Sequence, residues 1–221
     1  MKHIRHFALL CVLLTPSAWA IDIYEDASSY GYDLKQEQED EIFFYEGRFV
    51  DFSLRLGSRT FTQGLGLHFG TGFQFGGSMT YFFTRRFGLE LAIDDSMHQF
   101  LIDGVSGWAT LLDVLLRGKY YFLSDAYSKA LLFANPHIFV GGGQFIRTKW
   151  LDDVPAKTKD NGFGFDFGAG FEVPIKERQV FLGVEASYQL IFFQDESDKT
   201  DEGAPLNGDA VSLLGKLTYS F

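Results

Sequence analysis

From Phe163 to Val173 the chain alternates without a break. Phe163, Phe165, Phe167, Ala169, Phe171 and Val173 share one face, and Gly164, Asp166, Gly168, Gly170 and Glu172 share the other. A period of two over about ten residues predicts a strand of the length that crosses a bilayer at a tilt. The same alternation returns along the chain. Val50, Phe52, Leu54 and Leu56 oppose Asp51, Ser53 and Arg55, while Phe73, Phe75, Met79 and Tyr81 oppose Gln74, Gly76, Ser78 and Thr80. Phe87, Leu89, Leu91 and Ile93 oppose Gly88, Glu90, Ala92 and Asp94, and Leu112, Val114, Leu116, Tyr120 and Phe122 oppose Asp113, Leu115, Arg117 and Lys119. Val180, Leu182, Val184, Ala186, Tyr188 and Leu190 oppose Gly183, Glu185, Ser187 and Gln189. At the end of the chain Val211, Leu213, Leu217, Tyr219 and Phe221 oppose Ser212, Lys216, Thr218 and Ser220. The stretch Pro136 to Phe145 carries bulky residues at consecutive positions, and its faces stay unassigned.

With that stretch included the count is eight strands, and an even number of alternating strands of this length is the signature of an antiparallel transmembrane barrel. The expected class is all-β, an up-and-down barrel over residues 47–221. The connections alternate in length as such barrels require. Short links fall at "TRRF" and "IKER", a somewhat longer one at "LSDAYSKAL", and long polar links at 58–72, 96–107, 149–162 and 194–209. Short turns belong to the periplasmic end and long loops to the outside. Tyr81, Phe82, Phe83, Tyr120, Tyr121 and Phe122 then read as a periplasmic aromatic girdle, with Phe100, Trp108 and Trp150 near the outer rim. In lipid an unpaired strand edge leaves backbone N–H and C=O groups without partners, so the last strand has to close on the first. That accounts for an apolar stripe running to the final residue.

Composition agrees with strands and adds a compartment. Phe 25 and Gly 24 are high and Pro is 5. Residues 1–20 have Lys2 and Arg5 in a basic start, an apolar run from Phe7 to Leu14, and Ala18-Trp19-Ala20 as a cleavage pattern, the three parts of a secretory signal peptide. Cleavage after Ala20 removes Cys11, leaving no disulfide or thiol chemistry. It also takes the net charge from −10 to −12 by removing two cations. An acidic chain of this kind lacks the basic face that nucleic acid needs. Residues 21–46 form an acidic N-terminal segment expected in the periplasm. It is a polar tether whose end, Ile42 to Phe44, is suited to docking on the barrel or on an envelope partner.

The "YFFTRRFGLEL" hairpin, the "GFGFDFGAGFE" strand and the terminal "KLTYSF" resemble the small eight-stranded outer-membrane barrels, the OmpA/OmpX/OmpW-like superfamily. The resemblance implies a place in the bacterial outer membrane, contact with its lipid, and no cofactor. It also implies that the barrel-assembly machinery reads Tyr219 and Phe221. It specifies architecture far more than activity.

Candidate chemistry lies first on the inward face. Asp51, Glu90, Asp94, Asp113, Asp166, Glu172 and Glu185 point in together with Arg55, Arg117, Lys119 and Lys216. Eight strands leave an interior just wide enough for side chains, so these charges are expected to pair into a plug. A polar permeation path is the alternative. The stretch "DDSMH", Asp94 to His98, brings a Ser and a His near the outer rim beside Asp pairs. A catalytic triad, however, is recognised by geometry, and no enzyme is read here. The acidic loop 194–209 has carboxylates suited to calcium but not the spacing of an EF-hand, so it reads as solvated and no metal is assigned. The expected role is structural or interaction-based, a scaffold or anchor. A narrow channel for small solutes is the runner-up, and a lipid-modifying enzyme the third reading.

Overall fold

The computed structural model describes residues 49–66, 68–102, 105–122, 134–151, 154–176, 179–193 and 208–221. The expected signal peptide, the segment 21–46 and residues 194–207 of the acidic loop lie outside these. The strands are β1 (Val50–Thr62), β2 (Gly72–Phe82), β3 (Phe87–Ile102), β4 (Val105–Tyr121), β5 (His137–Leu151), β6 (Val154–Lys176), β7 (Val180–Phe193) and β8 (Gly208–Ser220). Each pairs antiparallel with the next, and β8 pairs with β1 from Asp51↔Ser220 to Thr62↔Asp209, closing the barrel. Two further backbone bonds finish the seam: Phe221 N–H donates to the Val50 carbonyl at 3.0 Å, and Phe49 N–H to the Phe221 carbonyl at 3.4 Å. The apolar stripe of β8 faces outward to its end, where Phe221 meets the Phe52 ring edge-on at 5.7 Å.

The two faces follow the alternation. Leu54, Val140, Phe167, Leu182 and Leu213 stand on the outside, with Leu54 67% and Val140 64% exposed. A soluble monomer rarely shows a contiguous apolar belt of this size, whereas lipid requires one.

Three expectations need correction. The connections at 96–107 and 149–162 are not loops. β3 and β4 run on to Ile102 and from Val105, and β5 and β6 run on to Leu151 and from Val154, so these strands reach 15 to 23 residues. A strand that has left the hydrocarbon no longer needs apolar outward residues, so loss of the apolar stripe marks the membrane surface and not the strand end. The link 58–72 likewise begins as strand, then forms one helical turn, α1 (Gln63–Gly66). Its following residues add a rung beside β3, with Gly70 N–H donating to the Gln99 carbonyl at 2.9 Å and Leu101 N–H to that of His68 at 3.0 Å. Finally, Phe82, Tyr121 and Phe100 point into the barrel and not into the girdle, being 2%, 5% and 6% exposed. Each occupies an inward position of its strand. Phe82 packs on Tyr121 at 5.3 Å and Phe100 on Phe69 at 5.5 Å.

Candidate functional site

β5, the strand whose faces the sequence leaves open, turns His137, Phe139, Phe145, Arg147 and Lys149 inward. Its consecutive bulky residues are lumen aromatics alternating with lipid-facing Ile138 and Val140. The glycines of β6 make room for them. Phe139 pairs in register with Gly168, and a Cβ there would come within 2.6 Å of the Phe139 ring; a Cβ on Gly164, diagonal to Phe145, would come as close to the Phe145 ring. Gly-rich inward positions on one strand thus receive the phenyl rings of the next.

The lumen is filled in two layers. The lower layer is ionic and extends from the periplasmic end. Glu185 of β7 is its hub, accepting from Lys119 at 2.6 Å and lying 3.3 Å from Lys216, 3.3 Å from Arg55 and 3.2 Å from His137. Lys216 reaches Glu172 at 2.9 Å. Glu90 receives Lys119 at 2.7 Å, Arg117 at 3.2 Å, and the Ser78 hydroxyl at 3.0 Å. Arg117 also holds Asp166 at 2.6 Å and lies 5.0 Å over the Phe139 ring. Arg55 closes on Asp94 at 2.7 Å. Above them, Arg59 donates to Asp113 at 2.6 Å and to Ser96 at 2.9 Å. Asp51 is buried at the lower end, beside Ser220 in register.

The upper layer is apolar. Phe61, Leu65, Phe69, Phe100, Phe145 and Phe193 pack with Leu111 and Ile191 into one buried cluster, which Leu115 carries down between Asp113 and Arg117 of β4. Leu65, carried on α1, is fully buried. At the outer rim Arg147 makes two bonds to Asp160, at 2.7 and 3.2 Å, with its guanidinium 4.2 Å over the Phe193 ring.

Every inward charge read from the sequence therefore lies in the lumen, and Arg55, Glu90, Asp113, Arg117, Asp166, Glu185 and Lys216 all stand in its ion-paired part. Sequence reasoning missed Arg59, His137, Arg147, Lys149 and Asp160, together with the apolar cluster apart from Ala92 and Leu115. A usable signal existed. Arg59 continues the inward parity of Asp51, Ser53 and Arg55, and Asp160 continues that of Asp166 and Gly164, past the points where the apolar stripe ends.

Two possible chemistries can be weighed on this geometry. Ser96 and His98 are brought together, Oγ to Nε2 at 3.0 Å, but the other ring nitrogen faces the Gly70 carbonyl at 2.9 Å. No carboxylate orients that imidazole, both residues are buried, and Asp95 turns to the outer wall. This is a strut beneath Phe61, whose ring lies 4.7 Å from that of His98. His137, Glu172 and Glu185 could converge on an ion, since their ligand atoms lie within 4.8 Å of one another. The ammonium groups of Lys119 and Lys216 already supply the positive charge there, so the cluster works as an ion-pair hub. Of the acidic loop, Asp209 is described, and it accepts from the Tyr188 hydroxyl at 2.7 Å.

Comparison with known proteins gives the same architecture. Residues 35–220 match the outer membrane protein beta-barrel domain. Among solved structures the chain is similar to Neisserial surface protein A, with TM-score 0.54 and 14% identity over 78% of this chain and 97% of that one. It is also similar to OprG of Pseudomonas aeruginosa, with TM-score 0.47 and 16% identity over 79% and 97%. At 14% identity the likeness to Neisserial surface protein A speaks for the fold alone. No curated protein matches the sequence. The chain belongs to the outer membrane protein beta-barrel domain family, an eight-stranded barrel of the bacterial outer membrane.

Proposed function

We propose that this barrel is a non-conducting anchor, a scaffold that holds its outer loops and N-terminal segment at the outer membrane and performs no catalysis. The observation that carries this reading is the double filling of the lumen. Eight carboxylates and seven Arg or Lys side chains are buried among the described residues, which is close to neutrality, and an apolar cluster lies between the ion-paired network and the Arg147–Asp160 pair at the outer rim. An ion would have to break pairs in the first layer and lose its hydration in the second. In planar bilayers at known insertion density, the wild-type protein is expected to show almost no single-channel conductance. Steady, frequent openings would reject the anchor in favour of a narrow channel. One feature favours that second reading: the side-chain amides of Gln74 and Gln189 are buried without a hydrogen-bond partner among the described residues, which suits water at their level.

The partners that fit an anchor are outer-membrane lipid on the belt and an envelope protein at residues 21–46 or at the outer loops. During biogenesis the barrel-assembly machinery would read Tyr219 and Phe221, the last two outward residues, whose rings meet edge-on at 4.7 Å. Replacing both with Ser is expected to remove most of the folded protein from membranes, measured as the heat-modifiable gel band. Wild-type folded yield would detach the terminal aromatics from assembly.

A further inference from the structure

On the outer wall a groove of about 750 Å³ crosses from β7 through β8, β1 and β2 to β3. It runs between two rows of outward side chains that follow the hydrogen-bonding direction. One row is Tyr219, Phe52 and Met79, partners in register; the next is Leu217, Leu54 and Gly77. Gly77 keeps the gap open. A Cβ added to it would meet only the Ser53 carbonyl oxygen, at 3.4 Å, so no neighbouring side chain has taken the space.

The floor is strand backbone at Ser53, Ser78 and Thr218. Their hydroxyls face the lumen and are engaged there: Ser53 and Thr218 bond each other at 2.8 Å, and Ser78 donates to Glu90 at 3.0 Å. The groove therefore offers no hydroxyl to an occupant. An extended peptide lying in it at membrane depth would strand its own N–H and C=O groups. A helix about 10 Å across is too wide for a gap one row of side chains broad, whereas a hydrocarbon chain has no polar group to satisfy.

Dimensions and charge narrow the occupant further. Four interstrand steps give a length of about 19 Å. With strands tilted about 40°, the groove rises about 12 Å, close to half of an apolar band about 25 Å tall. Its lower end is at Val180, the first residue of β7, on the side of the short periplasmic turns. Lys176, exposed at that end, is the register partner of Val180 and stands where a headgroup phosphate would lie.

We propose that this groove holds one acyl chain of a phospholipid of the periplasmic leaflet, with Lys176 against its phosphate. The site lies outside the lumen and is independent of whether the barrel conducts.

The test uses the full-length protein in detergent micelles with a phosphatidylethanolamine that carries a photoactivatable diazirine on one acyl chain. After irradiation, label mapped by mass spectrometry is expected to be several-fold enriched at Phe52, Leu54 and Met79 over Val140 and Phe165 on β5 and β6. It should saturate at one lipid per barrel and fall with excess unlabelled phospholipid. Gly77→Leu should remove the enrichment. Gly118→Leu should keep it, since a Cβ at this other outward glycine meets nothing nearer than 3.7 Å. Lys176→Gln should weaken capture while leaving the labelled positions unchanged. Heat-modifiable mobility reports folding, and if Gly77→Leu does not fold, saturation and competition on the wild type decide. Even labelling round the wall, unaltered enrichment in folded Gly77→Leu, or cross-links joining two copies through this face would each overturn the proposal.

Discussion

Arginine in place of Phe167 is expected to lower folding free energy by about 2–4 kcal/mol, the depth-dependent cost of that charge on the lipid face of a barrel. Phe167 stands on β6 between Val140 and Tyr188 in register, and its ring lies 5.5 Å from that of Tyr188. All three face outward, so the guanidinium has no lumen carboxylate to reach. The neighbouring residue responds to a different force. Gly168 faces the lumen, and even the single carbon of Gly168→Ala would press within 2.6 Å of the Phe139 ring. Overpacking of this kind costs about 1–3 kcal/mol. Denaturant titration in lipid vesicles measures both variants. If Phe167→Arg keeps wild-type stability, the residue does not face lipid, and the facing of β6 is displaced by one position.

How much of this molecule could be read in its sequence depends on which solvent wrote the pattern. Lipid demands apolar residues at every second position, so the spanning parts of β1, β6, β7 and β8 are legible with their faces, as is the need for β8 to close on β1. The lumen makes no such uniform demand. It asks only that its side chains fill space and satisfy one another, and it accepts Phe139 and Phe145 as readily as Arg117 or Glu185. This is why β5 resists assignment: both of its faces carry bulky apolar residues, for opposite reasons. It is also why Phe82, Phe100 and Tyr121, aromatic residues near the ends of strands, are mistaken for girdle. Above the membrane the outward face meets water and the alternation fades, although the strands continue. Arg147 and Asp160, bonded across β5 and β6 at 2.7 Å, were hidden in that region. The charged layer was visible as residue types on inward positions, but its pairing was not. Which cation meets Glu185 depends on the shear of the barrel, which brings β4, β5, β7 and β8 to one level.

Removing one cation from that layer should have the larger consequence. Arg117→Ala takes from Asp166 the only ion partner it has among the described residues and from Glu90 one of several. Asp166 lies fully buried, out of reach of bulk solvent. Breaking one side of a buried pair costs about 3–5 kcal/mol, because the remaining charge is left desolvated. The wall itself keeps its interstrand hydrogen bonds, so the barrel should loosen inside before it opens. Water would then enter around Asp166, and conductance should rise above the wild-type baseline with cation preference, since the lumen already has one carboxylate more than it has Arg and Lys. A second substitution separates lost charge balance from lost volume. Arg117→Met with Asp166→Ala removes both members of the pair, so much of the stability lost in Arg117→Ala should return, by a coupling of about 0.5–3 kcal/mol, and the added conductance should vanish. The measurements are denaturant unfolding and planar-bilayer recording on the wild type, Arg117→Ala and the double variant. Equal stability and conductance in the single and double variants would mean that Arg117 acts by filling space over Phe139, and that the ion pair contributes nothing to sealing the lumen.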